Sequence, residues 1–147
     1  MDEVVEAPIV LLAAPWTRVQ AILAGIRSWD QRILIDATNH FLNRKMELAD
    51  LNGRSSSQLV AEWAPGARVV KALNTLYATD LAAGARVGKD RRVAFLSGDA
   101  ASAKTAVGAI ISAFGFAVID LGSLAEGGRI QQAGGPLVGL ELLLHEE

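Results

Sequence analysis

The chain has 147 residues, 51% of them hydrophobic and 20% charged, which is typical of one modest globular domain and not of a disordered tail. The 14 Lys and Arg against 16 Asp and Glu give a formal net charge of -2, so nothing predicts a nucleic acid or a membrane as partner. Cysteine is absent and only His40 and His145 occur, which excludes disulfides, thiol catalysis and metal sites built on thiolates or several histidines. We expect a cytoplasmic protein.

The first half of the chain alternates short apolar runs with helical spacing. The run 9–13 is too short to span a bilayer, and residues 1–3 are acidic where a secretory signal would be positive, so a buried strand is expected. A helix over 16–26, a strand over 32–36 and an irregular loop over 40–53 follow.

The second half continues the same alternation. It predicts a helix capped by the serines at 55–57 and running to Trp63, a strand over 67–72, a short helix over 77–83, a strand over 91–97, a helix over 101–114 ending at Gly115, and a strand over 116–121. A leucine-rich tail over 137–144 closes the chain. Strand-helix-strand units in series predict an α/β fold with a mostly parallel sheet and flanking helices.

Ligands of such sheets bind beyond the carboxyl ends of the strands. The residues that directly follow the apolar runs are therefore the first candidates for chemistry: Ala14, Pro15 and Trp16; Ala37, Thr38 and Asn39; Leu73, Asn74 and Thr75; Gly98 and Asp99. Neither a nucleophile-elbow serine motif nor a phosphate-binding Walker loop occurs in the sequence.

Each candidate side chain also has a structural interpretation. Carboxylates and amides could bind a ligand hydroxyl or carboxamide, or could stabilise turns; this applies to Asp36, Asp99, Asn39 and Asn74. Trp16 could lie against a planar ring or pack the first helix on the sheet.

Three further sets of residues carry the same ambiguity. His40 is a possible acid-base group. Four cations flank strands and are expected to be solvated surface charge rather than a phosphate site: Arg68, Lys71, Arg91 and Arg92. The serines at 55–57 are expected to cap a helix rather than act as nucleophiles.

Several weak motifs occur in a fixed order. They are Ala13-Ala14-Pro15-Trp16, Asp36-Ala37-Thr38-Asn39, Arg54-Ser55-Ser56-Ser57, Val69-Val70-Lys71-Ala72-Leu73-Asn74-Thr75, Gly98-Asp99, Gly115-Phe116, Asp120-Leu121-Gly122 and Gly134-Gly135-Pro136-Leu137. Over about residues 9–137, this series resembles the NADP oxidoreductases that depend on the deazaflavin coenzyme F-420. It departs from their pattern at Leu73, where an aromatic is usual, and at His40 and Ser123, where proline is usual.

The resemblance implies a Rossmann-like fold and hydride transfer between NADP(H) and a deazaflavin or flavin-type acceptor. It implies cofactor-binding roles for six residues: Pro15 and Trp16 beneath the nicotinamide ribose, Asn39 near the nicotinamide, and Asn74, Thr75 and Leu76 along the hydride-transfer cleft.

The family's first strand, Gly-rich G-x-G-x-x-G turn and helix bind the pyrophosphate, and that motif does not occur in this sequence. We therefore expect residues 1–147 to form a single, N-terminally truncated, partial NAD(P)-binding domain that lacks the first βαβ unit. Its exposed sheet edge favours a homo-oligomer. Two alternatives stand beside the oxidoreductase: a non-catalytic oligomerising or partner-binding remnant, or a Met1 that is internal to a longer protein.

Overall fold

A mixed sheet of seven strands forms the centre of the computed structural model, which describes residues 6–147. The strands are β1 (Ile9–Leu12), β2 (Ile33–Asp36), β3 (Arg68–Ala72), β4 (Arg86–Val87), β5 (Asp90–Gly98), β6 (Ala117–Asp120) and β7 (Leu143–Leu144). The helices are α1 (Trp16–Ala24), α2 (Ser56–Trp63), α3 (Ala78–Ala83), α4 (Ala101–Ala113) and α5 (Gly127–Gln131). The predicted α/β fold is confirmed, while the acidic residues 1–3 lie outside the described part of the chain.

The strand direction reverses between β3 and β5, and the short strands β4 and β7 also pair antiparallel with β5. Strands β1, β2 and β3 are parallel neighbours, β5 pairs antiparallel with β3, and β6 runs parallel to β5. Because Gly98 pairs with Val70 and Leu96 with Ala72, the carboxyl end of β5 lies at the edge of the sheet opposite the carboxyl ends of β1 to β3. Gly98 and Asp99, which the sequence offers as candidates for chemistry, therefore lie at the opposite edge of the sheet from the other candidate turns.

Helices cover both faces of the sheet. Helices α1 and α2 pack on one face, where Val19, Leu23 and Val60 are fully or almost fully buried against alternate residues of β2 and β3. Helix α4 packs on the other face through Ala103, Val107 and Ile111. These two apolar layers hold the strand ends in place, and with them the turns that follow β1, β2 and β3.

Strand β1 is an edge of the sheet. Within residues 6–147 it pairs with β2 alone. Beside it lies an apolar cavity of about 200 Å³ between the strand and α1, lined in part by Leu11, Ile22 and Ile26. Leu11 is 56% exposed, which is unusual for a leucine in a sheet strand.

Among the described residues, no helix is both long enough and apolar enough to cross a membrane.

Candidate functional site

A cavity of about 600 Å³ opens beyond the carboxyl ends of β1 and β2. The turn after β1 supplies one wall and the turn after β2 supplies another, which continues into the loop that follows. The lining residues are Ala13, Ala14, Pro15, Trp16, Thr17, Ala37, Thr38, Asn39, Phe41, Leu42, Asn43 and Arg44. Three of the six predicted cofactor-binding residues thus share one cavity: Pro15, Trp16 and Asn39.

A second cavity, of about 270 Å³, shares Ala13, Ala37 and Asn39 with the first. Its other walls come mainly from the segment after β3 and from α3, and they are mostly apolar: Leu11, Leu73, Asn74, Leu76, Ala78 and Leu81. Asn74 and Leu76 therefore lie here. Thr75 lines neither cavity; it is buried, and its carbonyl accepts a hydrogen bond from the backbone of Gly139.

Asn39 and Asn74 form a reciprocal amide pair between the two turns. Asn39 Nδ2 donates to the Asn74 carbonyl at 3.1 Å, and Asn74 Nδ2 donates to Asn39 Oδ1 at 3.1 Å. Asn74 Nδ2 also donates to the carbonyl of Gln131 at 2.8 Å, while its buried Oδ1 has no partner among the described residues. The residue before it, Leu73, has φ +65°, a left-handed conformation that costs a branched side chain energy and aims Asn74 into the site.

A fully buried ion pair lies behind the β2 turn. Lys71 Nζ is 3.3 Å from Asp36 Oδ2, and both side chains have no exposed surface. The expectation that Lys71 is solvated is wrong, and Arg92 is also buried, paired with Glu141. Lys71 becomes buried because β3 places it beside Asp36 in the parallel register.

The Asp36 carboxylate accepts four hydrogen bonds. Oδ1 accepts from the backbone N–H of Thr38 at 2.9 Å and from its hydroxyl at 2.6 Å, while Oδ2 accepts from the Ser57 hydroxyl and from Lys71. The interpretation of Asp36 as a residue that stabilises its turn is thus confirmed. Asp36 also pairs with Lys71, a contact that the sequence did not reveal. Asp99 instead accepts from the backbone N–H of Leu124, a contact 25 positions away.

His40 is buried under the site rather than exposed in it. Its ring lies edge-on to Trp16, with centroids 6.0 Å apart, and Trp16 also packs against Trp63 at 5.2 Å. Burial, and then the positive charge of Lys71, lowers the pKa of His40 below its ordinary value of 6.5. The imidazole is therefore neutral at physiological pH, and His40 does not line the cavity.

Ser55 caps the start of α2 as the sequence predicts, while Ser57 in its first turn has an additional role. Ser55 forms a capping box with Gln58: the Ser55 hydroxyl accepts from the Gln58 N–H at 3.2 Å, and the Gln58 side chain accepts from the Ser55 N–H at 2.8 Å. Ser57 turns inward to Asp36.

Gln131 is a site-supporting residue that sequence reasoning missed. Its fully buried side chain donates to the carbonyls of Lys71 at 3.2 Å and Phe95 at 3.0 Å, so it joins β3 to β5 close to the point where the sheet reverses. Its Oε1 accepts from the Ser97 hydroxyl at 2.7 Å. In the sequence, only Gly127-Gly128 indicates that the helix carrying Gln131 packs closely. A Cβ at Gly127 would lie 2.5 Å from the Leu121 carbonyl oxygen.

Comparison with known proteins identifies structures that share this architecture. No family model matches the chain. A hypothetical protein of Sinorhizobium meliloti is 43% identical, with a TM-score of 0.92 over 98% of this chain and 70% of its own. A protein of Arthrobacter assigned as an F-420-dependent NADP reductase is 28% identical, with a TM-score of 0.68 over 84% of this chain and 58% of its own.

One further protein is similar in sequence, and another is similar in fold. The metalloreductase STEAP3 of Rattus norvegicus is 30% identical over 133 residues, which is 88% of this chain and 26% of that protein. A pyrroline-5-carboxylate reductase of Coxiella burnetii, 18% identical with a TM-score of 0.55, shows the shared fold. The chain thus spans about a quarter of its curated relative.

The fold and the strand-end cavity define a Rossmann-like α/β protein of the kind found in reductases. The chain belongs to the family of the Sinorhizobium meliloti protein. Its resemblance to the F-420-dependent NADP oxidoreductases, seen in the ordered strand-end motifs, is confirmed.

Proposed function

We propose that the protein is an NADP-linked oxidoreductase whose cavity of about 600 Å³ takes the nicotinamide half of NADP(H) and brings it to a deazaflavin or flavin-type acceptor. The observation that carries the proposal is the meeting of Pro15, Trp16 and Asn39 around one cavity at the carboxyl ends of parallel strands, where such sheets bind ligands. The F-420-dependent reductase and the metalloreductase among the relatives support the same chemistry.

The lining residues fit the nicotinamide riboside portion of the cofactor. The volume lies in the range of small-molecule sites. Trp16 and Pro15 offer apolar surface to the ribose and ring, and the second amide hydrogen of Asn39 is available to a carboxamide oxygen. Arg44, at the rim, forms no ion pair within residues 6–147, so its guanidinium can meet a phosphate.

In this proposal the protein contributes binding and orientation. NADPH held there would supply the chemistry, the transfer of a hydride with both electrons of its C–H bond from the nicotinamide to the acceptor ring. Asn74 and Leu76, in the adjoining cavity, border the acceptor, whose ring would pack on the mostly apolar walls. A side-chain general acid or base is not required, which agrees with the burial of His40 away from the cavity.

A direct test compares NADPH affinity and hydride transfer in the wild type with those in Asn39→Ala. We expect the variant to bind NADPH about tenfold more weakly, because about 1.4 kcal/mol of hydrogen bonding is lost. Gln20→Ala, which removes an exposed amide of α1 that lines neither cavity, should bind as the wild type does. A wild-type protein that neither binds NADPH nor transfers hydride to any flavin or deazaflavin would refute the proposal.

Within residues 6–147 the outer edge of β1 has no partner strand, which favours a second candidate function, a module that self-associates. Two β1 edges could pair across a two-fold axis and cover both copies of the apolar cavity beside Leu11. We expect dimers in light scattering that Leu11→Lys converts to monomers, whereas Leu42→Lys, a matched change at another exposed leucine, does not. A wild-type monomer at high concentration would exclude this function and leave the oxidoreductase proposal untouched.

A further inference from the structure

The buried ion pair of Lys71 and Asp36 is not explained by its contribution to stability alone. Charges removed from water lose hydration energy that their attraction often fails to recover, so buried pairs can frequently be replaced by apolar residues at little cost. Here both side chains are fully buried in the sheet layer, and neither reaches the cavity. The role of the ion pair therefore depends on the groups to which Asp36 and Lys71 hydrogen-bond.

All three polar groups of Thr38 are held by this pair. Asp36 Oδ1 accepts from the Thr38 N–H and hydroxyl, at 2.9 and 2.6 Å, and Lys71 Nζ donates to the Thr38 carbonyl at 3.0 Å. Ser57, from the first turn of α2, fixes the remaining carboxylate oxygen. The N–H, the hydroxyl and the carbonyl of Thr38 are thus all held in a turn of the kind that is ordinarily a mobile surface loop.

Asn39 follows Thr38 directly, so the position of Thr38 determines where Asn39 lies. With the backbone of Thr38 fixed, the side chain of Asn39 meets Asn74 in two hydrogen bonds of 3.1 Å each. Asn39 is also one of the three residues that line both cavities. A displacement of Thr38 would therefore move the amide at the boundary between the two cavities.

We infer that Lys71 and Asp36 are positioning residues, which orient the Asn39–Asn74 amide pair through Thr38 for the ligand of the strand-end cavity. The inference rests on the proposed function for its ligand, but the orientation of the amides can be measured without any ligand. Bonds that hold a binding group in its productive geometry ahead of binding raise affinity and rate, because that order need not be created on binding.

The test variant is Asp36→Asn with Lys71→Met. It removes both charges together, so no unpaired charge is buried, and the amide of the new residue can still accept from Thr38 and donate to Ser57. Only the two hydrogen bonds of the ammonium are lost. We expect a thermal midpoint close to that of the wild type, in contrast to Lys71→Met alone, which leaves the Asp36 carboxylate unpaired.

Three measurements distinguish positioning from a merely structural role. We expect the side-chain amide signals of Asn39 and Asn74 to shift and broaden in ¹⁵N spectra of the double variant, while those of Asn43, bonded to Glu47, stay in place. We expect kcat/KM for hydride transfer and NADPH affinity to fall roughly 10- to 100-fold. The matched control, Lys104→Met with Asp120→Asn, removes a partly exposed ion pair between α4 and β6 and should change none of these values.

Unchanged amide signals and unchanged affinity in a stable double variant would overturn the inference. If the wild type does not bind NADPH, the proposed function fails, and the amide spectra still decide whether the pair orients Asn39. If the double variant does not fold, Ser57→Ala provides the decision: it keeps both charges but removes one of the two hydrogen bonds to Asp36 Oδ2. Its Asn39 signals should move in the same sense by a smaller amount, and no movement would refute the inference.

Discussion

His40 shows how one buried residue links the site to pH. Its ring lies beneath Trp16, and its Nδ1 has no hydrogen-bond partner among the described residues. Burial first, and the Lys71 ammonium second, keep the pKa of His40 below its ordinary value. Protonation would therefore place a second positive charge in a layer that already holds a buried ammonium.

This low pKa predicts a loss of stability in mild acid. Below about pH 6.5 the unfolded chain takes up a proton at His40 that the folded chain does not, so the free energy of unfolding falls as the pH is lowered. For a single proton the slope is at most about 1.4 kcal/mol per pH unit, and it vanishes below the folded pKa. Urea unfolding between pH 7.5 and 5 (about the range in which histidine titrates) measures this slope.

The variant His40→Gln separates this contribution from that of other groups. It should flatten the pH dependence over the same range, because the titrating ring is gone. His145→Gln, on the exposed C-terminal segment, serves as the matched histidine control and should leave the slope in place. An identical slope in the wild type and in His40→Gln would show that other groups produce it.

Residue roles were predictable where the partners are local. The Ser55 cap and the Asp36–Thr38 bonds involve residues two or three positions apart, which a sequence pattern shows. The burial of Lys71 depends on Asp36, 35 positions away, and on the register of β3 against β2, which no local pattern encodes.

At the scale of elements, replacing each of two helical glycines by alanine should change the free energy of unfolding in opposite directions. Gly108 lies within α4, where an added methyl would meet side chains of Leu96 and Val118 at ordinary contact distances of 3.5 and 3.7 Å. A methyl on Gly127, at the start of α5, would lie 2.7 Å from the Ser97 hydroxyl as well as 2.5 Å from the Leu121 carbonyl oxygen. Helix α5 must therefore approach the sheet more closely than any larger residue allows.

We expect Gly108→Ala to raise the free energy of unfolding by about 0.5–1 kcal/mol, since alanine favours the helix. Gly127→Ala should lower it by about 1–3 kcal/mol, because either α5 moves away from the sheet or the Leu121 backbone shifts. Thermal and urea unfolding of both variants measure these changes. A neutral Gly127→Ala would mean that α5 does not need its close approach to place Gln131.

Element boundaries were largely predictable, and the direction of the strands was not. The strands β1, β2 and β3 and the helices α2 and α4 begin and end within one residue of the predicted bounds, because their apolar periodicity and caps are local. Gly115, with φ +95°, lies just beyond the end of α4, as predicted. The reversal at β5 and the short strand β7 depend on long-range pairing, for which the sequence offers no signal, whereas β4 pairs with β5 across the two-residue turn at 88–89.

At the scale of the whole molecule, the strand-end cavity combines features with different origins. Its walls come from turns that the sequence motifs identified, and its rigidity comes from the buried polar network that they did not reveal. The sequence contains no G-x-G-x-x-G turn, so we expect the interactions of this chain with NADPH to lie mainly with the nicotinamide half. We therefore predict which residues contact NADPH rather than how tightly it binds.

The measurement that tests this most directly is an NADPH titration of the 147-residue chain followed in ¹⁵N NMR spectra. We expect shifts confined to residues 13–17 and 37–44 and to Asn74, with the indole signal of Trp16 moving and that of Trp29, buried beside α1, unchanged. Micromolar binding would correspond to about -8 kcal/mol. No shift at saturating NADPH, or shifts centred on another surface, would contradict the assignment of this cavity to the nicotinamide.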